Sequence, residues 1–206
     1  MSIDTSSPGV PRERADARRN RQLLLEAAAS CVAEKGTAVA ALDIAEHAGV
    51  SVATLYRRFT SKEALIEQVL LDLLDQLNTV AAHALTDRDA WDGLSGFIVA
   101  FARMNKDNHG LSEALGSQET EALAAAQRKL RDAIRDLTSR ARLAGVLRDD
   151  ITWQDIAFVP KAVLVDRECI GLTAGEREWE RCLTLLLDGL RTPSPTPLPG
   201  TGPTGP

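Results

Sequence analysis

Apolar residues recur along most of this chain three and four positions apart, the period of an amphipathic helix. The pattern settles by Leu23, where Leu23, Ala27 and Cys31, flanked by Leu24, Ala28 and Val32, make one buried stripe that runs to Lys35 and stops at Gly36. It resumes in a short stretch where Leu42, Ile44, Ala45 and Ala48 face a core while Asp43, Glu46 and His47 face water. Gly49 ends that helix, and Ser51 is placed to cap the next by accepting from its free N–H groups. In this next helix Val52, Leu55 and Phe59 fall at i, i+3 and i+7 and pack inward, which leaves Ser51, Thr54, Arg57 and Arg58 on the opposite face. Two short helices about a glycine turn, the second with a polar and basic outer face, read as a helix-turn-helix. A helix seated in the major groove needs hydrogen-bonding groups for base edges and cations for the flanking phosphates, and this face offers both.

Further along, Thr60 and Glu63 fit a capping box that starts a fourth helix, with Leu65, Val69, Leu73, Leu77, Val80 and Ala84 inward, long enough to connect two domains. After a break at 86–89, the pattern over 91–104 runs through Leu94, Phe97, Ile98 and Phe101. A loop at 106–110, a short helix over 111–116 and a long helix from about 119 to 144 follow, the last with Leu123, Leu130, Ile134, Leu137, Ala141 and Ala144 as a bundle-like stripe. Thr152 caps a helix through Trp153, Ile156, Ala157, Ala162, Val163 and Val165, in which Pro160 predicts a kink or break over 156–160. The last helix, about 176–190, carries Trp179, Leu183, Leu186, Leu187 and Leu190, widened by Cys182 and Leu185 into a face too broad for one neighbour. The fold class is therefore all-α. A three-helix DNA-binding domain is expected over 12–62 and a second helical bundle over 63–191. A flexible N-terminus over 1–11 precedes them, and a disordered Pro-rich tail over 192–206, with six of the nine prolines, follows.

Charge sharpens the division. The chain of 206 residues has a net charge of −5, yet residues 1–62 hold nine Lys/Arg against seven Asp/Glu, which leaves fifteen against twenty-two for the rest. A basic end that approaches nucleic acid and an acidic body that does not suit this asymmetry. The stretch 12–21 holds Arg12, Arg14, Arg18, Arg19 and Arg21. It reads as a basic arm that lies along phosphates or enters the minor groove, with Arg18 and Arg19 the preferred pair, and equally as a solvated helix start.

Candidate chemistry changes the picture little. Cys31, Cys169 and Cys182 are too few and scattered for a zinc site or disulfide framework, and no metal-ligand spacing joins His47, His83 and His109. No nucleophile elbow, phosphate loop or dinucleotide fingerprint occurs, so neither an enzyme nor a cofactor is expected. Without an apolar run long enough for a membrane span or a signal peptide, a cytoplasmic protein is expected.

The stretch LDIAEHAGVSVATLYRRF, with the lead-in RNRQLLLEAAASCVAEKG and the follow-on TSKEALIEQVL, closely resembles the DNA-binding domain of TetR-family transcriptional regulators. The resemblance rests on Ile44, Ala45, residues 48–51, residues 54–56, Phe59, residues 61–63 and Leu65, and covers about the first third of the chain. It implies a homodimer on double-stranded DNA with a palindromic operator, joined by a four-helix interface of the last two helices. It also implies that 63–191 is a helical ligand-binding and dimerisation bundle, which takes a small apolar or amphipathic effector whose binding shifts the fourth helix, with repression as the default. The DNA-contacting side chains expected are Arg18, Arg19, Ser51, Thr54, Tyr56, Arg57, Arg58 and Lys62, with Tyr56 and Lys62 on phosphates and Thr54 and Arg57 nearest bases. Where the family often has a Thr pair that caps the second helix and reaches a phosphate, this chain has Ala40 and Ala41, which supply neither.

Ligand-pocket candidates are Trp91, Phe97, Phe101, Met104, Trp153 and Phe158, for which ordinary bundle core is the competing reading. Two rival functions stand beside regulation. One is a helical ligand-carrying or protein-interaction bundle that no longer reads DNA, and the other a helical enzyme in the acidic domain.

Overall fold

The computed structural model describes residues 10–108, 114–115, 120–163, 168–191, 195–200 and 203. The expected flexible lead up to residue 9, most of the short helix over 111–116, His109 and Val165 lie outside these described residues. Among them the chain forms eight α-helices and one two-stranded hairpin, in two compact units. One unit comprises residues 1–71 with 110–118, the other 72–109 with 119–206.

In the first unit, α1 (Val10–Lys35), α2 (Ala41–His47) and α3 (Val52–Arg58) pack against one another. The basic stretch after residue 12 belongs to α1 itself rather than to an arm ahead of it, and Val10 and Pro11, expected to be flexible, form its start. Leu24, Ala28, Val32, Ile44, Ala45 and Leu55 are fully or almost fully buried, and Leu65, Ile66 and Leu70 from the start of α4 (Lys62–Thr86) are equally buried. Leu42 departs from the expected inward set: it is 55% exposed. The cap of α4 also shifts by one residue, since Ser61 Oγ accepts from Ala64 N at 3.0 Å in place of the expected Thr60 box.

The second unit holds the rest of α4, then α5 (Ala90–Asp107), α6 (Glu121–Leu143), α7 (Trp153–Ala162) and α8 (Glu178–Arg191). Packing of α5, α6 and α7 on one another buries Leu94, Phe97, Ile98, Leu123, Ile134, Leu137 and Ile156. Helix starts are pinned by side chains: Asp89 Oδ1 accepts from Trp91 N and Asp92 N, Thr120 caps α6, and Thr152 with Asp155 forms a reciprocal capping box on α7. The C-terminal end of α4 is closed from a distance. Arg140 on α6 donates to the carbonyls of Ala84 and Leu85 in the last turn of α4 and to those of Asp87 and Arg88 just beyond it. Gly93 on α5 lies so near the Ala84 carbonyl that a Cβ there would collide with it.

Three features of the second unit differ from the sequence expectations as well. Pro160 does not break α7 ahead of itself; it is buried within the helix, which ends two residues later at Ala162. Between α7 and α8, β1 (Glu168–Cys169) and β2 (Leu172–Thr173) pair antiparallel around Ile170 and Gly171, both at positive φ, as a tight two-residue hairpin turn requires. In the segment read as a disordered tail, the Thr196 carbonyl accepts from Arg148 at 2.7 Å and Leu198 N donates to Asp150 at 3.3 Å.

Candidate nucleic-acid interface

The turn between α2 and α3 is set by its backbone. Gly49 takes φ +66°, which admits the left-handed bend that ends α2. Its N–H bonds the Glu46 carbonyl at 3.0 Å and that of Val50 bonds the Ala45 carbonyl at 3.0 Å, so the last carbonyls of α2 are satisfied as the chain reverses. Two residues on, Ser51 opens α3: its Oγ accepts from Thr54 N at 3.2 Å and shares a hydrogen bond with Thr54 Oγ1 at 2.9 Å. Leu55 is fully buried and Phe59 nearly so, which fixes the rotation of α3 and turns Tyr56 and Arg57 outward, with Tyr56 52% exposed.

The expected DNA-contacting residues divide on this scaffold. Ser51, Tyr56 and Arg57 are exposed together at α3, and Thr54 is half-exposed with its hydroxyl engaged by Ser51. Arg58 is not fully on the outer face: it is half-buried, and its Nε is shielded without a hydrogen-bond partner. Arg18 and Arg19 are exposed on α1. Lys62 is the residue whose setting changes most from the sequence view. A lysine in the first turn of a helix opposes the helix dipole and calls for an anion. Part of that demand is met within the unit, because Lys62 Nζ donates to the Thr37 carbonyl at 3.1 Å and lies 3.7 Å from Glu63 Oε1.

Two contacts that brace α2 and α3 carry no local mark in the sequence. The Arg21 guanidinium sits over the Phe59 ring, 5.3 Å from its centroid, and so ties α1 to the residue that ends α3. Lys35 pairs with Asp43 at 3.2 Å, joining the end of α1 to α2, and this hydrogen bond holds the lysine above its usual pKa. The Cys31 thiol beside them is buried, and burial pushes its pKa up, as for an inert core thiol. At the start of α2, Ala40 has the extended conformation of a cap residue and no side-chain hydrogen bond, as the sequence leads one to expect.

The six pocket candidates all lie in the second unit and do not share one environment. Phe97 is buried and meets the half-buried Phe101 at 5.8 Å between ring centroids. Trp91 and Trp153 are half-buried under cations: Arg191 lies 4.7 Å from the first ring and Arg135 4.9 Å from the second. Met104 is half-buried, whereas Phe158 is 57% exposed, against the expectation of core. The spacing on α7 that suggested burial for Phe158 is satisfied instead by Ile156 and Pro160.

Among the described residues no cluster of potential metal ligands occurs, and no helix is long and apolar enough to cross a membrane. Against known proteins, the profile of the tetR family of bacterial regulatory proteins matches residues 24–69. That of the SbtR-like transcriptional regulator C-terminal domain matches residues 89–192. Over 78 residues the chain is 41% identical to the HTH-type transcriptional repressor KstR2 of Mycolicibacterium smegmatis, a match that covers 37% of this chain and 34% of that repressor. The chain thus spans about a third of the length of that curated relative. Among solved structures, a TetR transcription regulatory protein from Mycobacterium vanbaalenii superposes with a TM-score of 0.60 at 28% identity, covering 87% of this chain and 99% of the other. The ketosteroid transcriptional regulator KstR2 of Mycobacterium tuberculosis gives a TM-score of 0.66 at 21% identity, covering 84% and 95%, a likeness of fold alone.

Proposed function

Because the chain belongs to the TetR family of bacterial regulatory proteins, we propose that it is a transcriptional repressor released from a palindromic operator by a small apolar or amphipathic effector. The observation that carries this reading is the outer face of α3, where Tyr56 and Arg57 stand exposed on a helix fixed by Leu55, Phe59 and the Ser51 cap. Arg57 and Thr54 meet bases, Tyr56 and Lys62 meet phosphates, and Arg18 and Arg19 add phosphate contacts from α1. Arg57 is the cleanest of these to test, since Lys62 also holds the Thr37 carbonyl and its loss would loosen the unit.

A single helix-turn-helix touches too few base pairs for useful specificity, and a two-fold dimer sets its recognition helices about 34–36 Å apart on successive turns of the groove. Phe158 on α7 and Leu185 and Leu186 on α8 are exposed at 57%, 73% and 39%, an apolar set that supports a dimer interface made by these two helices. Phe158 belongs to that interface rather than to a ligand pocket. The effector is held in the second unit, near Trp91, Phe97, Phe101, Met104 and Trp153, and acts through α4, a helix that both units share. A fall in operator affinity of tens of fold requires about 2 kcal/mol of preference of the effector for the released state.

The test is a gel-shift on the promoter DNA beside the protein's own coding sequence at several salt concentrations. A complex that weakens steeply with salt is expected. Absence of any complex at low salt would sink the proposal and leave a ligand-carrying bundle that does not read DNA, a reading that the uncapped start of α2 at Ala40 keeps in play.

A further inference from the structure

The sequence predicts no fixed partner for the Pro-rich segment after α8, yet Thr196 and Leu198 are both held. What holds them is one ion pair. Arg148 Nε and Nη2 donate to the two oxygens of Asp150 at 2.6 and 2.8 Å, a two-point pairing in a loop whose Leu147 and Ile151 are buried. The arginine side chain is only 11% exposed. Each partner also serves the tail: Arg148 Nη2 donates to the Thr196 carbonyl at 2.7 Å, and Asp150 Oδ2 accepts from Leu198 N at 3.3 Å. A carbonyl and an N–H group on residues two apart face the same way in an extended chain. A fixed donor beside a fixed acceptor therefore reads extended backbone rather than side chains.

The composition of the segment suits this use. Proline fixes its own φ near the polyproline value and pushes the residue before it out of the helical region. With Pro195, Pro197 and Pro199 alternating with Thr196 and Leu198, the segment is extended before it docks, so docking loses less conformational entropy than an ordinary tail would. Extended chain of this kind makes no internal hydrogen bonds, and Thr196 and Leu198 carry the only N–H groups over 195–199. Apolar burial contributes little: Pro195 is half-buried and residues 196–200 are exposed.

The same arginine holds the end of α8. Arg148 N donates to the Leu190 carbonyl at 3.0 Å, so its backbone and its side chain grip the chain at Leu190 and again at Thr196. Next to the pair, Arg142 of α6 donates to the Ile151 carbonyl, and Thr152 caps α7. The loop over 147–151 thus joins the end of α6, the start of α7 and the end of α8.

We propose that residues 195–199 are a strap, docked through backbone groups on the Arg148–Asp150 pair of the same chain, which holds the end of α8 on the loop ahead of α7. The strap thereby also steadies α7 and α8 as the helices that pair two copies. That consequence alone rests on the dimer reading.

The experiment compares the full chain with Leu198→Pro, which removes one N–H group and keeps the segment extended, and with Leu198→Ala, which keeps the N–H and trims an exposed side chain. Both substitutions lie outside the helices, so the fold is expected to survive them. Amide exchange read by NMR should show Leu198 protected at least about fivefold relative to an unstructured peptide of the same sequence. Asp150→Ala should remove that protection. The Arg148 amide reports the seat of α8; it should exchange at least about threefold faster in Leu198→Pro and as in the wild type in Leu198→Ala. Sedimentation should give Leu198→Pro a dimer dissociation constant at least about threefold above that of the other two. An unprotected Leu198 amide, or an Arg148 amide indifferent to Leu198→Pro, overturns the strap. Protection of Leu198 that falls on dilution places the segment on a second copy and overturns docking within one chain. A chain that stays monomeric while its Arg148 amide responds as expected counts against the dimer reading alone. A dimer whose dissociation constant does not move overturns the consequence for α7 and α8.

Discussion

In the first unit α2 starts at Ala40, which offers its helix no acceptor, and α3 presents Tyr56 and Arg57 to solvent. In the second unit Asp89, Thr120 and Thr152 each accept from the first turn of the helix they precede. Several of its arginines are engaged likewise: Arg140 by four carbonyls at and just beyond the end of α4, Arg148 by both oxygens of Asp150, and Arg191 and Arg135 by indole rings. The same residue types thus serve different ends. Polar groups that satisfy a helix end or cover a ring stabilise the unit that carries them, while polar groups held outward by a buried Leu55 remain available to a partner. Composition does not separate the two uses; the position of the nearest carbonyl, carboxylate or ring does.

The comparison breaks most visibly if an outward arginine proves structural. Arg57→Ala should lower operator affinity about a hundredfold, near 3 kcal/mol, because each contact of this kind is worth roughly 1–3 kcal/mol and a dimer loses two. Its melting temperature should stay where the wild type has it. A variant that melts earlier and binds normally would place Arg57 with the structural arginines and take the reading head away from α3. Arg140→Met is the converse. It should leave the proposed DNA contacts of α3 intact and cost about 2 kcal/mol in denaturant unfolding, since several carbonyls at the end of α4 lose a charged donor. An unchanged midpoint would mean that water serves those carbonyls equally well.

These two arginines also show what the sequence could convey. The helix-turn-helix was legible because its determinants are local: a glycine that takes positive φ, a serine cap two residues later, and apolar positions whose period fixes a rotation. Arg140 was not, because its acceptors lie more than fifty residues earlier and nothing in a helical repeat marks them. The hairpin over 168–173 was hidden for a different reason. Its turn places Ile170 at φ +46°, a conformation that β-branched residues rarely take, so the usual Asn-Gly signal is missing. Periodicity alone places Leu42 and Phe158 inward, yet both are exposed, because it marks a face without saying whether a neighbour from the same chain covers it.

A smaller effect sharpens the contrast at the helix starts. Ala40 already has the cap conformation, φ −77° and ψ 148°, and is exposed, so Ala40→Ser needs no rearrangement to cap α2. The gain expected is about 0.5–1 kcal/mol, measured by chemical denaturation. No gain, or a loss, would show that the start of α2 is satisfied by other means and that the absent side chain does not weaken it.

The smallest expected effect belongs to Asp89, at the start of α5. The Asp92 and Trp91 N–H groups that it accepts hold its carboxyl below the usual aspartate range, and the charges of Arg191 and Arg140 add to this. In the unfolded chain the group titrates near the ordinary value of about 3.9. With the folded value the lower of the two, the unfolded state takes up the proton first as acid is added. The charged cap therefore contributes stability above about pH 4 and loses it as pH falls through the folded value. Asp89→Asn keeps an acceptor for both N–H groups and removes the charge. Thermal unfolding should place it slightly below the wild type at neutral pH and bring the two together in acid. A gap that stays constant down to the lowest pH at which the protein folds would mean that Asp89 acts through its hydrogen bonds alone. Its charge would then contribute no more to the second unit than a neutral cap at Ala40 would to the first.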